Sequence, residues 1–331
     1  MSAALRSTGI HLPAREVTND ELRERFESFV DRVEGPSGIR TRFRAAPSDA
    51  TSDLAARAGR DALERAGVDP RDVDLVIVAT DTPDHLTPAT SVIVQHRLGA
   101  SRAGTFDVGC ACASFPTALA TAHGLIATNP SIHRVLVIGA YLMSRLADPS
   151  DPMSFFYGDG AGAALLVRSD APGVVASAFR ADGAHADKWL VQSGGTREPA
   201  SVEAIEAGRT NIRMLDKYPR EVNDEGWPLL FRTVCDRAGW RVDEVDLAIF
   251  TQVRRSQIVR AMESLELPVD RAHLVMDRFG YTGSACIPMA LHDAIEDGRV
   301  RAGDRVVMVG SGVGYNQAAV ALRVGPELRV R

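Results

Sequence analysis

The sequence predicts an α/β fold assembled from two copies of one unit, and three observations carry that expectation. The two halves resemble each other at a fixed offset of 172: "ERAGVDPRDVDLVIVAT" (64–80) lies over "DRAGWRVDEVDLAIFTQ" (236–252). At the same offset Pro116, Ala118 and Leu119 fall on Pro288, Ala290 and Leu291, and "RVLVIGA" (134–140) meets "RVVMVGS" (305–311) with the offset slipped by one. Three blocks in one order point to duplication rather than coincidence. The apolar runs show no alternation and are spaced by helical patterns, which places them in sheets covered on both faces. Each half also runs helix, strand, small-residue turn, apolar helix and strand, so two halves, 1–172 and 173–331, are expected to pack about a pseudo-twofold axis.

The elements follow in order. Thr18-Asn19-Asp20-Glu21 fits a capping box and starts the first helix. A helical pattern ends in Ala66-Gly67, and an apolar strand follows over 75–79. "FDVGCACASFPTAL" (106–119) then reads as a strand turning into a helix, and a second strand covers 135–138. Residues 181–230 match nothing in the first half and read as an insertion, where substrate or dimer contacts often reside. In the second half "DLAIF" is a strand, and a helix starts near Ser284, related by the repeat to the helix start at Cys112. Two helix N-termini with unpaired N–H groups would then converge on one cleft.

Composition narrows the function. Of the 331 residues, 45% are hydrophobic and 24% charged, as in a globular domain, and a net charge of −5 argues against a general nucleic-acid binder. No run reaches the ~18 apolar residues of a membrane span and none resembles a secretion signal, so a cytoplasmic setting with reduced thiols is expected. The four cysteines, 110, 112, 235 and 286, show neither paired CxxC spacing nor a zinc-like histidine pattern, so no metal and no disulfide are expected.

Cysteines in apolar runs are usually small core residues. Cys112 has a positional argument against that reading, because a thiol in the first turn of a helix feels a dipole that lowers its pKa. Its small neighbours Ala111, Ala113 and Ser114 leave room for a substrate, whereas Cys110 has the parity of a core residue.

At these residues the chain resembles a family. "FDVGCACASFPTAL" is similar to the nucleophile segment of the β-ketoacyl-acyl-carrier-protein synthases III, members of the thiolase-like condensing enzymes. "TGIHLPAREVTNDEL", "YGDGAGAALLV" (157–167) and "GDRVVMVGSGVGYNQAA" (303–319) resemble the family's opening, mid-chain glycine motif and closing glycine loop. The resemblance covers essentially the whole chain and implies a thiolase-like duplicated fold and a homodimer. It makes Cys112 the acyl-accepting residue, loaded from a coenzyme A or acyl-carrier thioester with no further cofactor. Its oxyanion hole would come from the backbone of Cys112 and of the loop at Gly312 and Val313.

The chain departs from the family where the second half-reaction is catalysed. The family's histidine and asparagine fall here on Gln252 and Tyr281, giving a Cys–Gln–Tyr constellation. Both can donate hydrogen bonds, yet neither titrates near neutral pH. Acyl loading is therefore expected to survive while decarboxylation weakens. His85 and Leu86 lie in a loop that the family places near the acyl pocket, and Phe29 stands near the family's coenzyme A tryptophan. Arg254, Arg255 and Arg260 are expected at a basic mouth suited to an acidic carrier. The leading expectation is an acyltransferase acting through acyl-Cys112 on a small-molecule or carrier acceptor, in fatty-acid, polyketide or secondary metabolism. Decarboxylative Claisen condensation is the alternative, and a catalytically silent partner or chain-length factor is the alternative of another class. Thiolase-type cleavage through Cys286 is disfavoured, because Cys286 aligns with Ser114 rather than with the turn.

Overall fold

The protein is described by a computed structural model covering residues 1–330. The first half contains β1 (Ser2–His11), β2 (Arg15–Thr18), α1 (Asn19–Ser37), β3 (Thr41–Arg44), α2 (Thr51–Ala66), β4 (Leu75–Ala79), α3 (Thr90–Leu98), β5 (Gly104–Val108), α4 (Ser114–Thr128), β6 (Arg134–Tyr141) and β7 (Gly160–Ser169). The second contains β8 (Val174–Ala181), β9 (Trp189–Leu190), α5 (Val202–Glu206), β10 (Arg213–Met214), α6 (Glu221–Asp224), α7 (Gly226–Ala238), β11 (Leu247–Phe250), α8 (Arg255–Ser264), α9 (Met276–Phe279), α10 (Cys286–Glu296), β12 (Arg305–Gly312) and β13 (Asn316–Arg323).

Two mixed sheets form the frame. One has strand order β1-β7-β6-β4-β5 and the other β11-β12-β13-β8, so the chain passes from one sheet to the other between Ser169 and Val174. In each, the strands after the αL glycine cap run parallel: β4 pairs with β6, and β11 with β12. The counterpart of β5 shrinks in the second half to a single bridge between Ala248 and Ala272. Helices α2 and α3 cover the outside of the first sheet and α7 the outside of the second, while α4 and α10 are sandwiched between the sheets. That position explains why α4 and α10 are apolar nearly all round: Phe115, Ala118, Ala122 and Ile126 of one, and Ile287, Met289, Ala290 and Ile295 of the other, are buried.

The duplication is visible in backbone angles. Ala111 and Gly283, 172 residues apart, adopt left-handed φ of 47° and 46°. Each opens a single 3₁₀ turn, Ala111–Ala113 and Gly283–Ala285, that leads into α4 and α10. The helix-ending glycines Gly67 and Gly239 match as well, with φ of 65° and 68°. Each central strand approaches the turn of the opposite half. A Cβ at Gly139 of β6 would lie 2.5 Å from the Ser284 carbonyl oxygen, and one at Gly310 of β12 would lie 2.9 Å from that of Cys112. Glycine at both places lets the two turns meet at the pseudo-twofold axis.

The insertion ends earlier than 230, because α7 is the counterpart of α2. Its register becomes evident only from the glycine cap that both helices share. The first half carries its own excursion at the equivalent point, between β1 and α2, with an unrelated sequence.

Candidate active site

Cys112 sits in the middle of the Ala111–Ala113 turn, between the end of β5 and the start of α4. It is 3% exposed, and its Sγ lies against the hydroxyl of Tyr281. Tyr281 is carried from the second half: its backbone N–H donates to the Phe156 carbonyl at 2.8 Å, and its carbonyl accepts from Gly158 N at 2.9 Å. Gly158 permits this, since a Cβ there would lie 2.2 Å from the Phe279 carbonyl oxygen. The mid-chain glycine motif therefore works as a close-approach surface. Tyr141 packs beside Tyr281 and Tyr157, with ring centroids 6.1 and 6.5 Å away. The three tyrosines wall the space around the thiol.

Burial pushes the Cys112 thiol well above its ordinary pKa, and Asp81 and Cys286 add to that, while the Tyr281 hydroxyl works in the opposite direction. The expectation of a dipole-lowered thiol is thus corrected: in a sealed pocket, desolvation outweighs a helix end. The Tyr281 hydroxyl is likewise held neutral, chiefly by burial. The loop after β12 closes one side of the turn. A Cβ at Gly312 would lie 2.1 Å from the Cys110 carbonyl oxygen and 3.0 Å from the Cys112 amide nitrogen. Val313, half-buried, follows it, and Gly314 N donates to the Tyr218 hydroxyl at 3.2 Å.

Gln252 does not join Tyr281. Its Nε2 donates to the carbonyls of Phe250 (2.9 Å) and His273 (3.1 Å), and its Oε1 accepts from Val275 N at 2.9 Å. Both amide hydrogens are engaged, so the side chain ties the end of β11 to the 273–275 segment instead of facing a substrate. Only its backbone N–H reaches the site, donating to the Cys286 thiol. Sequence position alone could not separate these roles, because glutamine at a strand end suits either.

The outer residues divide. A cleft of about 520 Å³, lined among others by Lys217, Tyr218, Arg220, Arg254 and Arg260, opens beside the glycine loop. The Arg254 guanidinium stacks over Phe156, and desolvation, then Arg220 and Arg260, draws its pKa down. Arg260 pairs with Asp224. Arg255 is a correction: it faces a separate cleft with Glu34, Arg40 and Asp277, on the far side of α8. Phe29 is another, since it packs edge-on against Phe155 and Phe156 as part of the support under Arg254 rather than against the thiol. His85 is exposed and Leu86 is 81% exposed, so within one chain neither lines the pocket. His273, Asp293 and Asp297 form the one cluster with metal-ligand spacing among the described residues. Both His273 ring nitrogens are already occupied, by Asp293 and Arg299, and Arg278 pairs with Asp293, so the group is an ion-pair network.

Sequence reading set Ser284 at the second helix start facing the cleft, but missed Asp81, Tyr141 and Tyr157. A signal existed for Asp81: it follows the apolar strand β4 at its C-terminal end, the place where open α/β sheets put ligand sites.

Comparison with known proteins fits this arrangement. The C-terminal and N-terminal family models of 3-oxoacyl-[acyl-carrier-protein] synthase III match residues 235–324 and 106–183. The β-ketoacyl-[acyl-carrier-protein] synthase III of Symbiobacterium thermophilum is 38% identical over 323 residues, 96% of each chain. The chain belongs to the 3-oxoacyl-[acyl-carrier-protein] synthase III family. Among solved structures, the synthase III from Aquifex aeolicus superposes with a TM-score of 0.86 at 31% identity, covering 97% of this chain and 99% of that one. The priming β-ketosynthase from the R1128 polyketide biosynthetic pathway superposes with a TM-score of 0.89 at 30% identity, covering 98% and 97%. The fold is therefore the duplicated thiolase-like fold of the synthase III family, with Tyr281 against the candidate nucleophile.

Proposed function

We propose that this member of the synthase III family is an acyltransferase that accepts an acyl group on Cys112 from a coenzyme A or carrier-protein thioester and passes it to an acceptor nucleophile. Decarboxylative condensation is weak or absent. The observation that carries this reading is the pairing of Cys112 Sγ with the Tyr281 hydroxyl while the Gln252 amide is engaged elsewhere. Loading needs a thiol that can become a thiolate and a polarised carbonyl. Tyr281, as a neutral hydroxyl, donates to the developing thiolate, and the backbone N–H groups of Cys112 and Val313 receive the carbonyl oxygen. Decarboxylation further needs donors aimed at the enolate, and one aimed donor is worth about 10²–10³-fold in rate. With Gln252 engaged, Tyr281 alone remains, and it also serves the thiol.

Two features support the partners. The basic cleft at Lys217, Arg220, Arg254 and Arg260 suits the phosphates of coenzyme A or an acidic carrier surface. Strand β5 is an unpaired edge with half-exposed Phe106, next to the exposed loop of His85 and Leu86. Pairing of β5 with its copy would form a homodimer and bring each 80s loop to the other subunit; a monomer at micromolar concentration in sedimentation would refute that assembly.

The deciding experiment is intact-mass analysis after incubation with acetyl-coenzyme A or acetyl-carrier protein. The acetyl adduct should form, vanish in Cys112→Ala and persist in Cys110→Ala. Carbon dioxide release from a malonyl thioester by the loaded protein should stay near background. Vigorous release would instead establish the condensing reaction for which the relatives are named.

A further inference from the structure

Asp81 has no role in the reading above, yet it stands in the same chamber. Its residue keeps some open surface, but Oδ1 is sealed from solvent and has no hydrogen-bond partner. The carboxyl lies beside Ser284, the pseudo-twofold mate of Cys112. The Ser284 hydroxyl hydrogen is already directed at the Ala140 carbonyl, 2.7 Å away. With that hydrogen engaged, Ser284 lowers the Asp81 carboxyl only in part, and burial, the larger effect, keeps it above the usual carboxylate range. Asp81 follows the C-terminal end of β4, whose parallel neighbours are β5, which leads into the Cys112 turn, and β6, which ends at Tyr141, so the carboxyl stands at the same end of the sheet as the thiol. Among the described residues, no arginine, lysine or histidine acts on Asp81 to hold it ionised.

The geometry points to Asp81 as the proton acceptor of the transfer step, taking the proton of an O–H or N–H acceptor as that acceptor attacks acyl-Cys112. The inference rests on the acyltransferase reading and adds the base that reading lacks. The acceptor's lone pair forms the new bond to the acyl carbon, the C–S bond breaks, and Cys112 leaves as a thiolate held by the Tyr281 hydroxyl. The acceptor's proton moves to Asp81 and then returns to the thiolate or to water. The titration order fits: burial raises Asp81 to about 6, whereas Cys286 is pushed to about 12 and Cys112, Tyr141 and Tyr281 lie well above their ordinary values. Of these groups Asp81 alone changes charge near neutrality, where a general base is most useful. One histidine comes to the rim, His185, edge-on to Tyr218 and Tyr315 with centroids 6.0 and 6.5 Å away, and it is the rival candidate.

The test separates loading from transfer. Acetyl-Cys112 is formed with acetyl-coenzyme A, the excess is removed, and loss of the adduct is followed by mass with water, ethanol or ethanolamine as acceptor. Asp81→Asn should load, yet deacylate at least about 10-fold more slowly at pH 7.5, and should lose the rise in deacylation centred near pH 6; Asp81→Glu should restore part of it. Iodoacetamide labelling of Cys112 reads proximity without any acyl chemistry. Asp81→Asn should speed labelling above pH 6, where the wild-type carboxylate opposes the thiolate, and leave it unchanged below pH 5. Unchanged deacylation in Asp81→Asn, or its loss in His185→Gln instead, would overturn the assignment. A wild-type chain that takes up no acyl group would sink the acyltransferase reading and, with it, the step assigned to Asp81.

Discussion

At the scale of single residues, the site turns on which polar atoms are already engaged. Tyr281 and Gln252 are equally plausible donors as residue types, but one faces the thiol and the other holds backbone. Tyr281→Phe should therefore slow acyl loading by about 10-fold to 10²-fold, as expected for removing one aimed hydroxyl, with little change in melting temperature. A loading rate equal to wild type would show that the Tyr281 hydroxyl only packs against the sulfur. Gln252→Ala should behave in the opposite way. It strands two carbonyls and one N–H in the core, costing about 2–4 kcal/mol of stability, while the folded fraction still loads Cys112. Thermal melts and intact mass on the same samples would separate the two effects. Cys110 corrects the expectation of a core residue: it is the one cysteine that is only partly buried, and its backbone N–H donates to Ser114 Oγ at 2.8 Å.

At the scale of elements, the reactive turn is held by glycines on strands rather than by its own sequence. Ala111 takes a left-handed φ without glycine's freedom, which costs roughly 1–3 kcal/mol and persists because β12 packs over it. Gly312 is the tightest of these contacts. Gly312→Ala would bring a methyl to 2.1 Å from the Cys110 carbonyl, forcing the turn or the loop to move. Loading should fall by about 10²-fold as the backbone donors lose their aim, with circular dichroism little changed. An alanine variant that loads normally would mean that the loop does not shape the thiol's surroundings. The helices α4 and α10 were legible as apolar helices from sequence; their shared place between two sheets was not, since it depends on both halves meeting.

For the whole molecule, the chamber lies at the pseudo-twofold axis and carries an electrostatic burden. The fold raises Asp81 above its usual range, so the carboxylate form is disfavoured in the folded state relative to the unfolded chain. The sign follows: no penalty exists below about pH 4, where both states are protonated, and it is complete above about pH 6. Its size is on the order of 2–3 kcal/mol, from a shift of about two pH units. Asp81→Asn should therefore melt higher than wild type at pH 8, with the gain fading toward pH 4. A variant that melts lower at pH 8 would show that the carboxylate is compensated in the fold.

The sequence by itself determined the duplication, the α/β class and the position of Cys112 at a turn. Each of these rests on local pattern: periodicity, glycine caps and the spacing of small residues survive in one dimension. Tertiary structure decided that burial outweighs the helix dipole at Cys112, that Gln252 serves the backbone and that Arg255 and Phe29 stand away from the thiol. It also brought Asp81 beside Ser284, although the two residues are 203 positions apart. The physical reason is common to all of them. Whether a polar group is free, engaged or desolvated depends on neighbours from the other half, and the chain acquires those neighbours only when its two copies close on each other.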